Sequence, residues 1–184
     1  MILFVGLLII TSVSSASGQT RDAHFPTYGS GAVQVRIYAD YFCPPCRSME
    51  PSVEPLLRSL VDQKIIQLTL VDVPFHSHSS LYARYFLYAL KSKNSLDHAL
   101  KVRNVLFDAA AGNKITAGKE VEKLFRGKGI SYSAFDPKHI FQSYNDLIRE
   151  DKISQTPSCV IIKKGKKETF VGGANIINAL KALK

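Results

Sequence analysis

The sequence predicts an α/β fold in the order β-α-β, a helical insertion, then β-β-α. Three observations carry that expectation. An alternating segment rich in β-branched and aromatic residues, AVQVRIYADYF (32–42), runs directly into the helical repeat that begins around Cys43. Residues 79–150 keep a 3.6-residue apolar period with few strand signals. The chain closes on SQTPSCVIIKKGKKETFVGGANIINALKALK, two short strands about a tight turn and a last helix.

Taken in order, the first element is an apolar run from Ile2 to Ile10, followed by Ser14 and Ala16 at the −3 and −1 positions of a cleavage site. It is too short to span a bilayer and suits a secretory signal over residues 1–16, although no basic residue precedes Arg21. An uncleaved anchor is the alternative. After the first strand, PCRSMEPSVEPLLRSLVDQ places Met49, Val53, Leu56, Leu57, Leu60 and Val61 at helical spacing. Pro51 and Pro55 are expected to kink that helix or break its first turns. IIQLTLVDVPF is the second strand, stopped by Pro74.

Four helical segments follow. SSLYARYFLYALKSK is the first, and SLDHALKVRNVLFDAAA starts at Ser95, a good N-cap. GKEVEKLFRGKG ends at a glycine C-cap signal, and DPKHIFQSYNDLIRED offers Asp136 as N-cap with Pro137 at the first helical position. The last strands span Cys159–Lys163 and Glu168–Val171, joined through Gly165 in the solvated turn KKGKKE, and a helix starts near Ala174. The expected division is therefore 1–16 signal, 17–78 and 151–184 as the two parts of one α/β unit, and 79–150 as an inserted helical subdomain.

Composition narrows the function. With 46% hydrophobic and 21% charged residues in 184, a sizeable core is available and global disorder is excluded. The formal charge of +9 lies wholly beyond residue 20. For an exported chain it reads as a basic surface near anionic lipid or acidic partners, not as a nucleic-acid footprint.

Three cysteines remain: Cys43 and Cys46 in CPPC, and Cys159. One closely spaced pair makes a poor structural framework, because so short a loop adds little stability. Zinc needs four ligands, and no second C-x-x-C or H-x₃-H stands ready. Redox exchange fits best. A cysteine at a helix N-terminus lies at the positive end of the macrodipole, which favours thiolate, so Cys43 is the candidate nucleophile. Cys46, one turn later, is placed to resolve the mixed disulfide. Pro44 and Pro45 suit the first helical positions, where a missing N–H costs nothing, and stiffen the site.

The element order, with YADYFCPPC at the end of the first strand, VDVPFHSHSSLYARYFLYAL entering the insert and ISQTPSCVII opening the third strand, resembles the thioredoxin fold of the DsbA-like branch. The resemblance covers nearly all of the chain after the signal. It implies a cis Thr156–Pro157 bond beside the cysteines, with Thr156 and Pro157 presenting a backbone edge to an extended substrate. It also implies an exported thiol–disulfide oxidoreductase, periplasmic where the host has a periplasm, that needs no cofactor. Its partners would be unfolded or partly folded exported proteins and a membrane redox partner, with no nucleic acid. The helical insert and export favour an oxidase over a reductase or isomerase.

Two departures matter. Relatives of this branch often carry His between the cysteines, where Pro45 stands, so a weaker oxidant is expected. Many also bury a charged residue at the position of Ile37. Asp40 is a candidate for tuning the site or an ordinary polar strand end, and Cys159 reads as a small buried hydrophobe. His76 and His78 read as loop histidines. A non-catalytic copper chaperone using Cys43, Cys46 and His76 or Cys159 is the rival from another class.

Overall fold

The computed structural model describes residues 25–112 and 115–184. The signal expected over residues 1–16 lies outside them. The elements are β1 (Thr27–Tyr28), β2 (Val33–Ala39), α1 (Pro44–Asp62), β3 (Ile66–Asp72), α2 (Ser79–Ser92), α3 (Leu96–Ala111), α4 (Gly118–Gly127), α5 (Lys138–Glu150), β4 (Ser158–Lys163), β5 (Lys166–Val171) and α6 (Gly173–Lys181). This is the α/β order expected, a thioredoxin fold with four helices between β3 and β4.

The strands form one sheet in the order β1-β3-β2-β4-β5. β2 runs parallel to β3, with Ala39 opposite Asp72 at their C-terminal ends. β4 pairs antiparallel with β2, so that Cys159 faces Ile37 across the ladder. β2 and β3 alternate apolar and polar residues over their first halves and are buried on both faces toward their C-terminal ends, and Val35, Ile37, Tyr38, Leu68, Leu70 and Val71 are all at most 1% exposed. The short β1, antiparallel to β3, has no counterpart in the sequence reading. Two residues with no alternation are invisible to a periodicity argument, and Gly31 marks the reason they are held. A Cβ there would lie 2.1 Å from the Ile65 carbonyl carbon, so only glycine lets the chain pass so close to β3.

α1 runs unbroken through Pro51 and Pro55, contrary to the expected kink or break. Both prolines are exposed, while Cys46, Met49, Glu50, Val53, Leu57 and Leu60 are buried on the opposite face. The carbonyls of Arg47 and Pro51, which lose their N–H partners, can therefore be hydrated, and the packed face keeps the helix continuous. α3 and α6 both pack on α1, and α2 packs on α3. The end of α5 is tied to the sheet by charge. Arg36 on β2 pairs with Asp151 at 2.9 Å, Lys167 on β5 reaches Glu150 at 2.7 Å, and the Tyr38 hydroxyl donates to Asp151.

Smaller details follow local chemistry. Ser95 caps α3, accepting from the His98 N–H at 3.3 Å. Asp136 also accepts a helix N–H, that of Lys138, at 3.0 Å, yet the N-cap is Pro137, one residue later than expected. The β4–β5 hairpin turns on Lys164 (φ 51°) and Gly165 (φ 76°), the two positive angles that a tight hairpin turn demands. No helix among the described residues is long and apolar enough to cross a membrane.

Candidate active site

The site forms where β2 hands over to α1. Cys43 is the N-cap residue of α1, with Pro44 and Pro45 as its first two helical residues, exposed to solvent. Both prolines occupy positions whose N–H groups have no partner within the helix, so their rings cost no backbone bond. Cys43 is 6% exposed and Cys46 is fully buried on the inner face of the helix.

The loop before β4 closes over this pair. The Thr156–Pro157 bond is cis. The Cys43 thiol donates to the Thr156 carbonyl oxygen at 3.3 Å, and the Thr156 side chain acts to lower the Cys46 thiol against the effect of burial. Pro157 is buried, and its carbonyl accepts the Gly172 N–H at 3.0 Å, which fixes the loop against the start of α6. Thr156 therefore lies against the Cys43 sulfur, although 113 residues separate the two in sequence.

Burial pushes the Cys46 thiol up to about 12, and a hydrogen bond to Cys43 adds to the shift. The Asp40 backbone and the Thr156 side chain oppose it. The inner sulfur thus stays a thiol until exchange demands otherwise, which suits a resolving position. Cys159 is likewise pushed up to about 12 by burial. It is fully buried in β4, opposite Ile37 and Phe170, as a small apolar core residue would be.

Asp40 is more than a polar strand end. It is 1% exposed, and its carboxylate accepts from the backbone N–H groups of Phe42 (2.8 Å), Phe75 (2.8 Å) and His76 (3.2 Å). The Ser79 hydroxyl (2.8 Å) and the His76 ring (Nδ1, 2.9 Å) complete the set. Its main-chain carbonyl accepts the Cys43 N–H at 3.1 Å. One buried carboxylate therefore pins the cysteine turn to the loop that enters the insert. The bond to the N–H two residues on is an Asx turn, the signal by which the sequence could have revealed this role. The tie to residues 75–79 has no sequence signature. Phe75, on that loop, is the exposed large hydrophobic residue among those described, at 49%.

Beneath the site lies a buried charged cluster that the sequence reading missed altogether. Arg103 of α3, 1% exposed, reaches Glu50 of α1 at 2.6 Å and Asp72 of β3 at 3.5 Å, and Tyr41 donates to Asp72 at 3.4 Å. Glu50 lies one turn beyond Cys46 on the same buried face. A single arginine in an amphipathic helix reads as a solvated residue, so nothing in the pattern pointed inward.

Comparison with known proteins agrees with this geometry. A family described as Thioredoxin matches residues 27–171, and the chain belongs to that family. Among solved structures, a periplasmic thioredoxin-like protein from Salmonella enterica serovar Typhimurium is 19% identical (TM-score 0.65), with 89% of this chain and 90% of that one covered. The catalytic domain of ScsC from Proteus mirabilis is also 19% identical (TM-score 0.64; 89% and 91% covered). DsbA2 from Pseudomonas aeruginosa is 20% identical (TM-score 0.60; 87% and 94% covered). At these identities the likeness is one of fold. No curated protein sequence matches the chain. Family membership, with the cysteine pair intact, supports a thiol–disulfide oxidoreductase in the general sense.

Proposed function

We propose that the protein is an exported thiol–disulfide oxidoreductase that donates a disulfide to protein substrates through Cys43 and Cys46. The observation that supports this most is the bond from the helix-capping Cys43 thiol to the Thr156 carbonyl of the cis-proline loop, with Cys46 buried one turn further along the helix. In the oxidised protein a substrate thiolate attacks the Cys43 sulfur, and the Cys43–Cys46 bond breaks. A second substrate thiol then releases Cys43, so two electrons pass from the substrate dithiol to the pair. In the reverse sense, Cys46 attacks the mixed disulfide.

In this reading the Thr156–Pro157 edge aligns an extended substrate segment, Pro44 and Pro45 stiffen the helix start, and Asp40 holds the turn. Unfolded exported proteins are the substrates, and a membrane partner reoxidises the pair, as the periplasmic name of one structural neighbour suggests. Among the described residues no three His, Cys, Asp or Glu side chains converge to hold a metal, so no observation favours the copper-chaperone reading.

The test is oxidative refolding of reduced ribonuclease by the oxidised protein, scored by recovered activity. Recovery with one disulfide transferred per protein molecule is expected. Failure to oxidise it, together with ready reduction of insulin, would assign the opposite direction.

A further inference from the structure

We propose that His76, oriented by Asp40, is the group at the rim of the active site that takes the proton from an incoming substrate thiol; this rests on the disulfide-donor reading above. Ionisation of the substrate thiol limits exchange near neutral pH, because only the thiolate attacks. Neither residue between the cysteines can assist, since prolines carry no side-chain donor, acceptor or charge. Cys46 is fully buried, and every oxygen of the Asp40 carboxylate is already hydrogen-bonded. The adjoining loop supplies what the motif lacks.

The geometry supports that assignment on three counts. The Asp40 oxygen that meets the His76 ring at 2.9 Å also accepts backbone N–H groups, so the carboxylate is an acceptor there and Nδ1 is the donor. A proton held on Nδ1 leaves Nε2 with its lone pair free to act as a base. The imidazole is 49% exposed while the Asp40 side chain is fully buried, so the ring is held at its inner end and open to solvent. Finally, the loop lies against the residue that precedes the nucleophile. Phe42 packs on His78 with ring centroids 6.1 Å apart, and Asp40 binds the Cys43 N–H through its own carbonyl. The titratable groups gathered at this corner include Asp40 and Cys43 from the turn, Cys46 from α1, His76 and His78 from the loop, Tyr82 of α2 against Phe42, and Asp72 at the end of β3, which feels the Asp40 charge.

The step balances without a further reagent. The substrate S–H proton passes to Nε2 as its sulfur pair forms a bond to Cys43. The Cys43–Cys46 bonding pair leaves on Cys46, which takes up a proton, and His76 returns its own to solvent. The available gain is bounded. A cysteine thiol with a pKa of about 8.5 is roughly 3% ionised at pH 7, so assistance can reach at most ~30-fold there and nearly vanishes above pH 9.

The experiment is stopped-flow oxidation of a reduced peptide carrying two cysteines by the oxidised protein, at pH 7 and pH 9.5. The wild type is compared with His76→Asn, whose side-chain N–H takes the place of the Nδ1 donor toward Asp40, and with His76→Ala. Both variants are expected to be slowed roughly tenfold at pH 7 and to match the wild type at pH 9.5, since the peptide thiol then ionises unaided. Equal rates at pH 7 would overturn the proposal. An equal slowing at both pH values would also overturn it, because it would mean that His76 only braces the loop. If the wild type itself transfers no disulfide to the peptide, the donor reading fails instead.

Discussion

Replacing Cys46 with alanine is expected to turn the protein into a trap for substrates that carry a disulfide. Cys43 keeps its place at the helix start and still attacks a substrate disulfide, but the mixed disulfide loses its fast route of release and is left only with attack by a second substrate thiol. The fast route is intramolecular. Cys46 sits one turn from Cys43, in hydrogen-bond contact with it, and well-oriented groups of this kind reach effective molarities of about 10⁵ M or more. No solvent thiol reaches comparable concentration. Cys46 is also fully buried, so its loss opens no new path for a substrate group. With scrambled ribonuclease, Cys46→Ala should yield a stable covalent complex at the summed mass on a non-reducing gel, cleared by dithiothreitol. Cys43→Ala should yield neither complex nor turnover. A complex formed equally by both variants would mean that the two sulfurs do not divide the work in this way.

The largest effect on stability is expected at Arg103. Substitution by methionine leaves Glu50 and Asp72 in the core without their shared cation. Breaking a buried ion pair on one side costs about 3–5 kcal/mol, a large part of a domain's total stability. The packing of the guanidinium over Phe107, 5.2 Å from the ring centroid, is lost as well. Neutralising the partners with Glu50→Gln and Asp72→Asn should recover much of the loss, because the penalty comes from unpaired charge more than from absent attraction. Urea denaturation measures both steps through the shift of the midpoint at constant slope.

The same cluster has a pH signature. Burial raises the Asp72 carboxyl to about 7, the effect of Arg103 and the Tyr41 hydrogen bond in the opposite sense being smaller, with Asp40 and Glu50 adding to the rise. Folded Asp72 thus binds its proton more tightly than unfolded Asp72, whose ordinary value is 3.8. Its contribution to stability is full below 3.8 and is lost as pH rises through about 7. Between pH 5 and pH 8 the wild type should therefore lose more stability than Asp72→Asn. An equal loss in the two proteins would show that Asp72 is already ionised in the fold at pH 5.

The parts of this molecule that were legible in its sequence are those written in local pattern. The cysteine pair after an alternating strand and the long 3.6-residue period each state their structure within a short window, whereas the cis Thr156–Pro157 bond was implied only by the family resemblance. Tertiary context decided the rest. Pro51 and Pro55 signal a break, yet the helix continues because its other face is packed and both prolines lie on its exposed face. β1 is too short to carry a period. Asp40 read as a tuning charge or a polar strand end; its hold on residues 75–79 depends on the parallel pairing of β2 and β3, which brings their C-terminal ends to one edge. Arg103 is drawn inward by two carboxylates from elements 31 and 53 residues away, a partnership no window can display.

On the proposed function, Cys43 and Cys46 form a redox pair poised to give up its disulfide. The reduction potential of that pair, measured by equilibration with glutathione at pH 7, tests it most directly. A value of roughly −120 to −180 mV, spanning the range from DsbA to protein disulfide isomerase, is the predicted result. A value near about −270 mV, that of thioredoxin, would contradict it and make the protein a reductase.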